Sequence, residues 1–154
     1  MHIFASLSLV LISLPLLAGC GGSDATPPVD DSASQACVDA INQHRASINA
    51  PAYTRWKEQE ACANGQAEQD ADSGAAHGAF GTCMEGAQNE CPGWPGPPTN
   101  MIGGCLQMMW SEGPGTDFAT HGHYINMSST SYTKVACGFV TLPNGSVWAV
   151  QNFK

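Results

Sequence analysis

Six cysteines, Cys37, Cys62, Cys83, Cys91, Cys105 and Cys137, constrain this chain more than any other feature. They are spread over a stretch the size of one ordinary domain. An even count at this density predicts three disulfides, the device of small exported folds. A structural zinc site is disfavoured, because no Cys-x-x-Cys pair occurs. Six cysteines admit fifteen pairings. Local closure predicts Cys83–Cys91 across a Gly-rich loop; Cys105–Cys137 is expected to pin the third helix to a central strand, and Cys37–Cys62 is the default third pair.

A seventh cysteine stands apart. Cys20 follows Leu17-Ala18-Gly19 at the end of an apolar run from Ile3 to Leu17. That run has signal-peptide length and is too short to span a bilayer. Leu-Ala-Gly-Cys resembles the lipobox of bacterial lipoproteins, although the n-region Met1-His2 carries no Lys or Arg. The resemblance implies cleavage before Cys20, a lipid on its thiol, and a membrane-anchored protein of the cell envelope facing the periplasm or exterior. The alternative is a plain secretory signal. The chain thus divides into a signal at 1–19, a linker at 20–35 rich in Gly, Pro, Ser and Asp, and a folded domain at 36–154.

Thirteen Asp and Glu stand against five Lys and Arg, and no basic cluster exists. Nucleic acid is therefore excluded as an expected partner.

Apolar spacing of Cys37, Ile41, His44 and Ile48 predicts a first helix over 37–48, capped at Ser34 or Gln35. A second helix is predicted over 56–72 and a third over 99–111, with Met101, Cys105, Met108 and Met109 on one side. Residues 73–100, dense in Gly, Pro and Cys, read as loop. Strands are predicted at 124–127, 134–142 and 146–153. Pro143-Asn144-Gly145 marks a hairpin between the last two. Helices followed by an antiparallel pair make an α+β fold.

His121-Gly122-His123 would present two imidazoles on one face if it lay on a strand. No His-Glu-x-x-His and no Gly-x-Ser-x-Gly occurs, and no activated serine or cysteine is evident. The order of several segments carries more. Asn42-Gln43-His44-Arg45, His77, Met84-Glu85-Gly86, Trp110-Ser111-Glu112, Gly122-His123-Tyr124 and Ala136-Cys137-Gly138 together resemble the CAP superfamily of cysteine-rich secretory, antigen 5 and pathogenesis-related 1 proteins. The resemblance implies a three-layer α-β-α sandwich of the SCP-domain type. It implies a cleft of two histidines and two glutamates, matched here by His77, His123, Glu85 and Glu112. Only Ser111 separates Trp110 from Glu112, one residue fewer than the family pattern. The implied cofactor is Zn or another divalent metal, weakly held.

Three functions follow. The leading one is a binding protein without turnover, whose ligand is a lipid, a sterol or a partner protein. Met101, Met108, Met109, Trp94 and Trp110 offer apolar surface for it or simply fill the core. The second is a metal-assisted hydrolase with Glu85 or Glu112 as base. The third is a structural envelope protein.

Overall fold

The computed structural model describes residues 30–154; the signal, Cys20 and most of the linker lie outside the described residues. The elements are α1 (Asp31–Ser47), β1 (Thr54–Arg55), a 3-10 turn (Lys57–Gln59), α2 (Glu60–Ser73), β2 (Ala87–Pro95), α3 (Pro98–Trp110), α4 (Phe118–Ser128), β3 (Lys134–Thr141) and β4 (Ser146–Phe153). The four strands lie in the order β1-β3-β4-β2, with β1–β3 parallel and the other pairs antiparallel.

Alternation along β4 explains the layers. Val147, Ala149 and Phe153 face one core, shared with α1, α3 and α4. Trp148 and Val150 face a second core with Ala63 and Ala67 of α2. Both faces of the sheet are therefore covered, which gives the expected α-β-α sandwich. At Gly138 on β3 the α2 backbone touches the sheet directly. A Cβ there would collide with the peptide between Ala63 and Asn64, so only glycine fits.

Helix α1 begins at Asp31, earlier than expected. Asp30 is its cap, with Oδ1 accepting from Ala33 N at 3.1 Å. Ser34, the expected cap, is buried inside the helix and donates to Cys137 O. Its hydroxyl serves packing against β3 and not the helix start.

Two elements differ from the sequence reading. Residues 87–95 form a strand where a loop was expected. Pro92 and Gly93 sit in an irregularity between Cys91 and Trp94, and β2 is an edge strand, where proline is tolerated. Residues 124–127 are helical, not extended, as part of α4. Asp117 starts that helix by accepting from Ala119 N at 3.1 Å. His121 and His123 are therefore about 200° apart around a helix axis, not side by side on a strand. The His121 ring turns back to the carbonyls of Glu112 and Gly113.

Three disulfides form, as the even count requires, but none of the three expected pairings does. The bonds are Cys37–Cys137, Cys62–Cys83 and Cys91–Cys105. Cys83–Cys91 fails because Cys91 lies on β2 against α3, while the loop carrying Cys83 folds over α2. Cys105–Cys137 fails because Cys137 is taken by α1 through Cys37. Cys37–Cys62 fails because α1 and α2 lie on opposite faces of the sheet.

Candidate cleft at the β2–α4 edge

Helix α4 is fixed from below by α1. Arg45 is 1 % exposed, and its guanidinium donates to the carbonyls of Pro51, Met127 and Ser129. It stacks 3.6 Å over the Tyr53 ring. Asn42 brackets Tyr53 by bonding both its backbone N–H and its C=O. Burial pushes the Tyr53 hydroxyl pKa up to about 12. The Asn42-x-His44-Arg45 pattern is thus a brace: two of its members hold the chain around Tyr53, and His44 stacks on Trp110.

On the other side α4 is tied to β2. Asn126 Nδ2 donates to Asn89 Oδ1 at 2.9 Å, and Asn89 Nδ2 donates to His123 O at 3.2 Å. Between α4, β2 and the loop at 74–82 lies a hollow of about 200 Å³, lined by His77, Gln88, Glu112, Phe118, His123 and Asn126 among others. Three of the four residues matched through the resemblance meet here. The fourth, Glu85, does not.

Glu112 holds His123 by two contacts and Tyr124 by a third. Its Oε1 lies 2.5 Å from His123 Nδ1, and Oε2 accepts from the backbone N–H of His123 and Tyr124. A carboxylate only accepts, so Nδ1 carries a proton, and in the neutral ring Nε2 keeps its lone pair. The short Trp110-Ser111-Glu112 spacing does not remove Glu112 from the cleft.

His77 sits in the left-handed region, with φ of 62°, a conformation a non-glycine residue adopts only where its surroundings hold it. Glu90 Oε1 accepts from its backbone N–H at 2.9 Å. Its Nδ1 lies 2.8 Å from Gln88 Oε1. A buried chain of amides decides which proton is where. Glu85 accepts from Gln66 Nε2, which also donates to Ala79 O. Gln66 Oε1 must then accept, and it does so from Gln88 Nε2 and Asn152 Nδ2. Gln88 Oε1 is left to face His77, so His77 carries its proton on Nδ1 as well.

Glu85 is therefore corrected as a cleft ligand. Its Oε1 accepts from Gln66 and Gly81 N, its Oε2 from Cys83 N, and it is buried behind the loop. It anchors the network that orients His77. The residue beside His77 is Gln88, followed by Asn89. The sequence signal was the Gln88-Asn89 pair itself, two adjacent amides that β2 carries into the site.

These residues do not fit a preformed metal centre. Among the described residues no three His, Cys, Asp or Glu side chains gather closely enough to hold an ion. Glu112 is engaged by His123, and Gln88 is a neutral amide in place of an anionic ligand.

Below the loop two buried acids meet. Asp70 Oδ1 accepts from Ala79 N at 2.7 Å, and Glu90 Oε2 accepts from Trp148 Nε1 at 2.8 Å. Burial, followed by the hydrogen bond with Asp70, pushes the Glu90 pKa up to about 8. With its pKa raised, Glu90 keeps its proton at neutral pH beside Asp70.

A second hollow of about 290 Å³ adjoins the first and is mostly apolar, with Phe80, Ala87, Phe118 and Tyr132 on its walls. Phe80 and Phe118 are exposed, at 48 % and 63 %. The Phe118 ring lies within 3.2–3.4 Å of where a Gly122 Cβ would stand. Gly122 thus lets that ring lie flat along α4.

Among solved structures, the chain superposes on Na-ASP-1 with a TM-score of 0.60 at 18% identity, covering 84% of this chain and 41% of that one. It therefore spans less than half of that protein. It also superposes on the hookworm platelet inhibitor, with a TM-score of 0.56 at 15% identity, covering 81% of this chain and 70% of that one. A Schistosoma mansoni venom allergen-like protein, SmVAL4, gives 0.52 at 12% identity, covering 79% and 86%. Identities this low establish the fold alone. No curated protein is a significant match in sequence. The profile of the cysteine-rich secretory protein (CAP) family matches residues 38–153. With three disulfides, an α-β-α sandwich and a family match over most of its length, this chain belongs to the cysteine-rich secretory protein (CAP) family.

Proposed function

We propose that this protein is an exported, lipid-anchored binding protein whose ligand enters the cleft between β2, α4 and the 74–82 loop. The observation that carries the reading is the pair of tied-back imidazoles. His77 and His123 each have Nδ1 bound to a fixed acceptor, which leaves Nε2 as the ring atom for a ligand. Their side chains are 46 % and 35 % exposed. No serine, threonine or cysteine lines the same hollow, and all six described cysteines are in disulfides. The cleft thus has recognition groups and no nucleophile of its own. A divalent ion would find two imidazole nitrogens and little else, which is a weak site. Three disulfides fit an oxidising compartment outside the cytosol. The Leu-Ala-Gly-Cys motif supports anchoring through Cys20, and Cys20→Ser should move the protein from the membrane to the soluble fraction.

The test of the binding reading is turnover. The purified protein, with and without added zinc, should hydrolyse neither peptides nor esters. Robust hydrolysis removed by a chelator and by Glu112→Gln would replace this reading with a metal-assisted hydrolase.

A further inference from the structure

The two hollows adjoin, and His77, Gln88, Phe118 and Asn126 line both. One end is apolar, and two of the most exposed large apolar side chains of the described residues, Phe80 and Phe118, form its rim. The other end is polar, with acceptors facing in.

Charge decides the headgroup. The chain has five Lys and Arg, and the whereabouts of all five are known. Arg45 is buried among carbonyls. Arg55 and Lys57 pair with acids near α1. Lys134 lies 5.9 Å from the centre of the Trp56 ring, and Lys154 ends the chain. None lines either hollow. One carboxylate, Glu112, lines the polar end, and Glu90, 3.6 Å from His77 Nδ1, is buried behind the wall and keeps its proton at neutral pH. A cleft with a carboxylate and no cation repels an anion and attracts a positive head. The imidazole Nε2 lone pairs add acceptors, which ask the same head to be a hydrogen-bond donor.

We infer that the ligand of this cleft is a cationic amphiphile: a protonated amine between Glu112 and the two imidazoles, with an alkyl or aromatic body along Phe80, Phe118 and Tyr132. The inference rests on the binding reading above and narrows it to a class that excludes fatty acids and phosphate-headed lipids. The hollows are small for ligand pockets, which run to about 300–1,000 Å³, so a short single chain fits better than a two-chain lipid.

The test uses the full chain carrying Cys20→Ser, so that no detergent competes. Calorimetry at pH 8 compares octylammonium, octanol and octanoate below their aggregation concentrations. Octylammonium should bind at least about tenfold tighter than octanoate, the factor that one surface charge contact sustains. Phe118→Ala should weaken octylammonium and octanol alike. Glu112→Gln should reduce the preference for octylammonium over octanol, with circular dichroism confirming that the fold persists. Octanoate binding as tightly as octylammonium overturns the inference while Phe118-dependent binding keeps the cleft reading. Failure of all three to bind overturns the inference, and the turnover assay above then judges the binding reading separately.

Discussion

Replacing Glu90 by Gln should change how stability depends on pH, with a crossing of the two stability curves as its signature. Glu90 is 4 % exposed and Asp70 is fully buried. Burial and the Asp70 hydrogen bond raise the folded-state pKa of Glu90 from 4.5 to about 8. A carboxyl whose folded pKa is raised gives stability that is fully present below pH 4.5 and is lost as the pH climbs towards 8. At about 1.4 kcal/mol per pH unit, that loss is at most about 5 kcal/mol. Glutamine cannot lose a proton. Its amide can donate to Asp70 Oδ2, which has no other partner. One acceptor oxygen disappears, however, so either His77 N–H or Trp148 Nε1–H goes unmet, at about 1–3 kcal/mol. At pH 5 the variant should therefore be the less stable protein by that amount. At pH 9 it should be the more stable. Urea denaturation with EDTA at pH 5, 7 and 9 measures both, and the difference between the two proteins cancels the other titrating groups. A difference that stays constant from pH 5 to pH 9 would refute the raised Glu90 pKa.

Removing the Cys62–Cys83 bond by a double alanine substitution should cost about 3 kcal/mol from loop closure alone, because the bond closes 21 residues; chemical denaturation reads it. Gly138→Ala should destabilise by about 3 kcal/mol or more, since overpacking against a helix backbone leaves no side chain to give way, and a melting experiment checks it. Gln66→Leu should leave the core filled while removing one of the two acceptors that orient the Gln88 amide, the other being Asn152 Oδ1, and so loosen that amide. The His77 nitrogen spectrum should then show a mixture of tautomers, and an unchanged spectrum would sever the link from Glu85 to His77.

The sequence carried the elements with strong periodicity. The β3–β4 hairpin was legible because apolar residues alternate on both sides of Asn144-Gly145, and α3 because Met101, Cys105, Met108 and Met109 recur at helical spacing. Strand β2 was not legible, since Gln88, Asn89 and Glu90 have no local preference for a strand. Their burial is repaid through partners on α2, α4 and β4, which no local pattern contains. Helix α4 was missed because Tyr124-Ile125-Asn126-Met127 looks extended in isolation, while its start is set six residues earlier by Asp117. Disulfide pairing followed which face of the sheet each helix covers, a tertiary property; proximity along the chain misled at Cys83–Cys91, and no local pattern held the other two pairs. At the site, the order of His77, Glu112 and His123 was readable, but Glu85 and Gln88 lie three residues apart, and only the fold shows which one faces His77.

The two imidazoles are the centre of the binding reading, and long-range proton–nitrogen correlation spectra of the histidines at pH 8 measure them. His77 and His123 should both carry their proton on Nδ1, and both Nε2 signals should move when octylammonium is added. An Nε2–H tautomer at either ring, or Nε2 signals that stay still while the amphiphile binds, would contradict that reading.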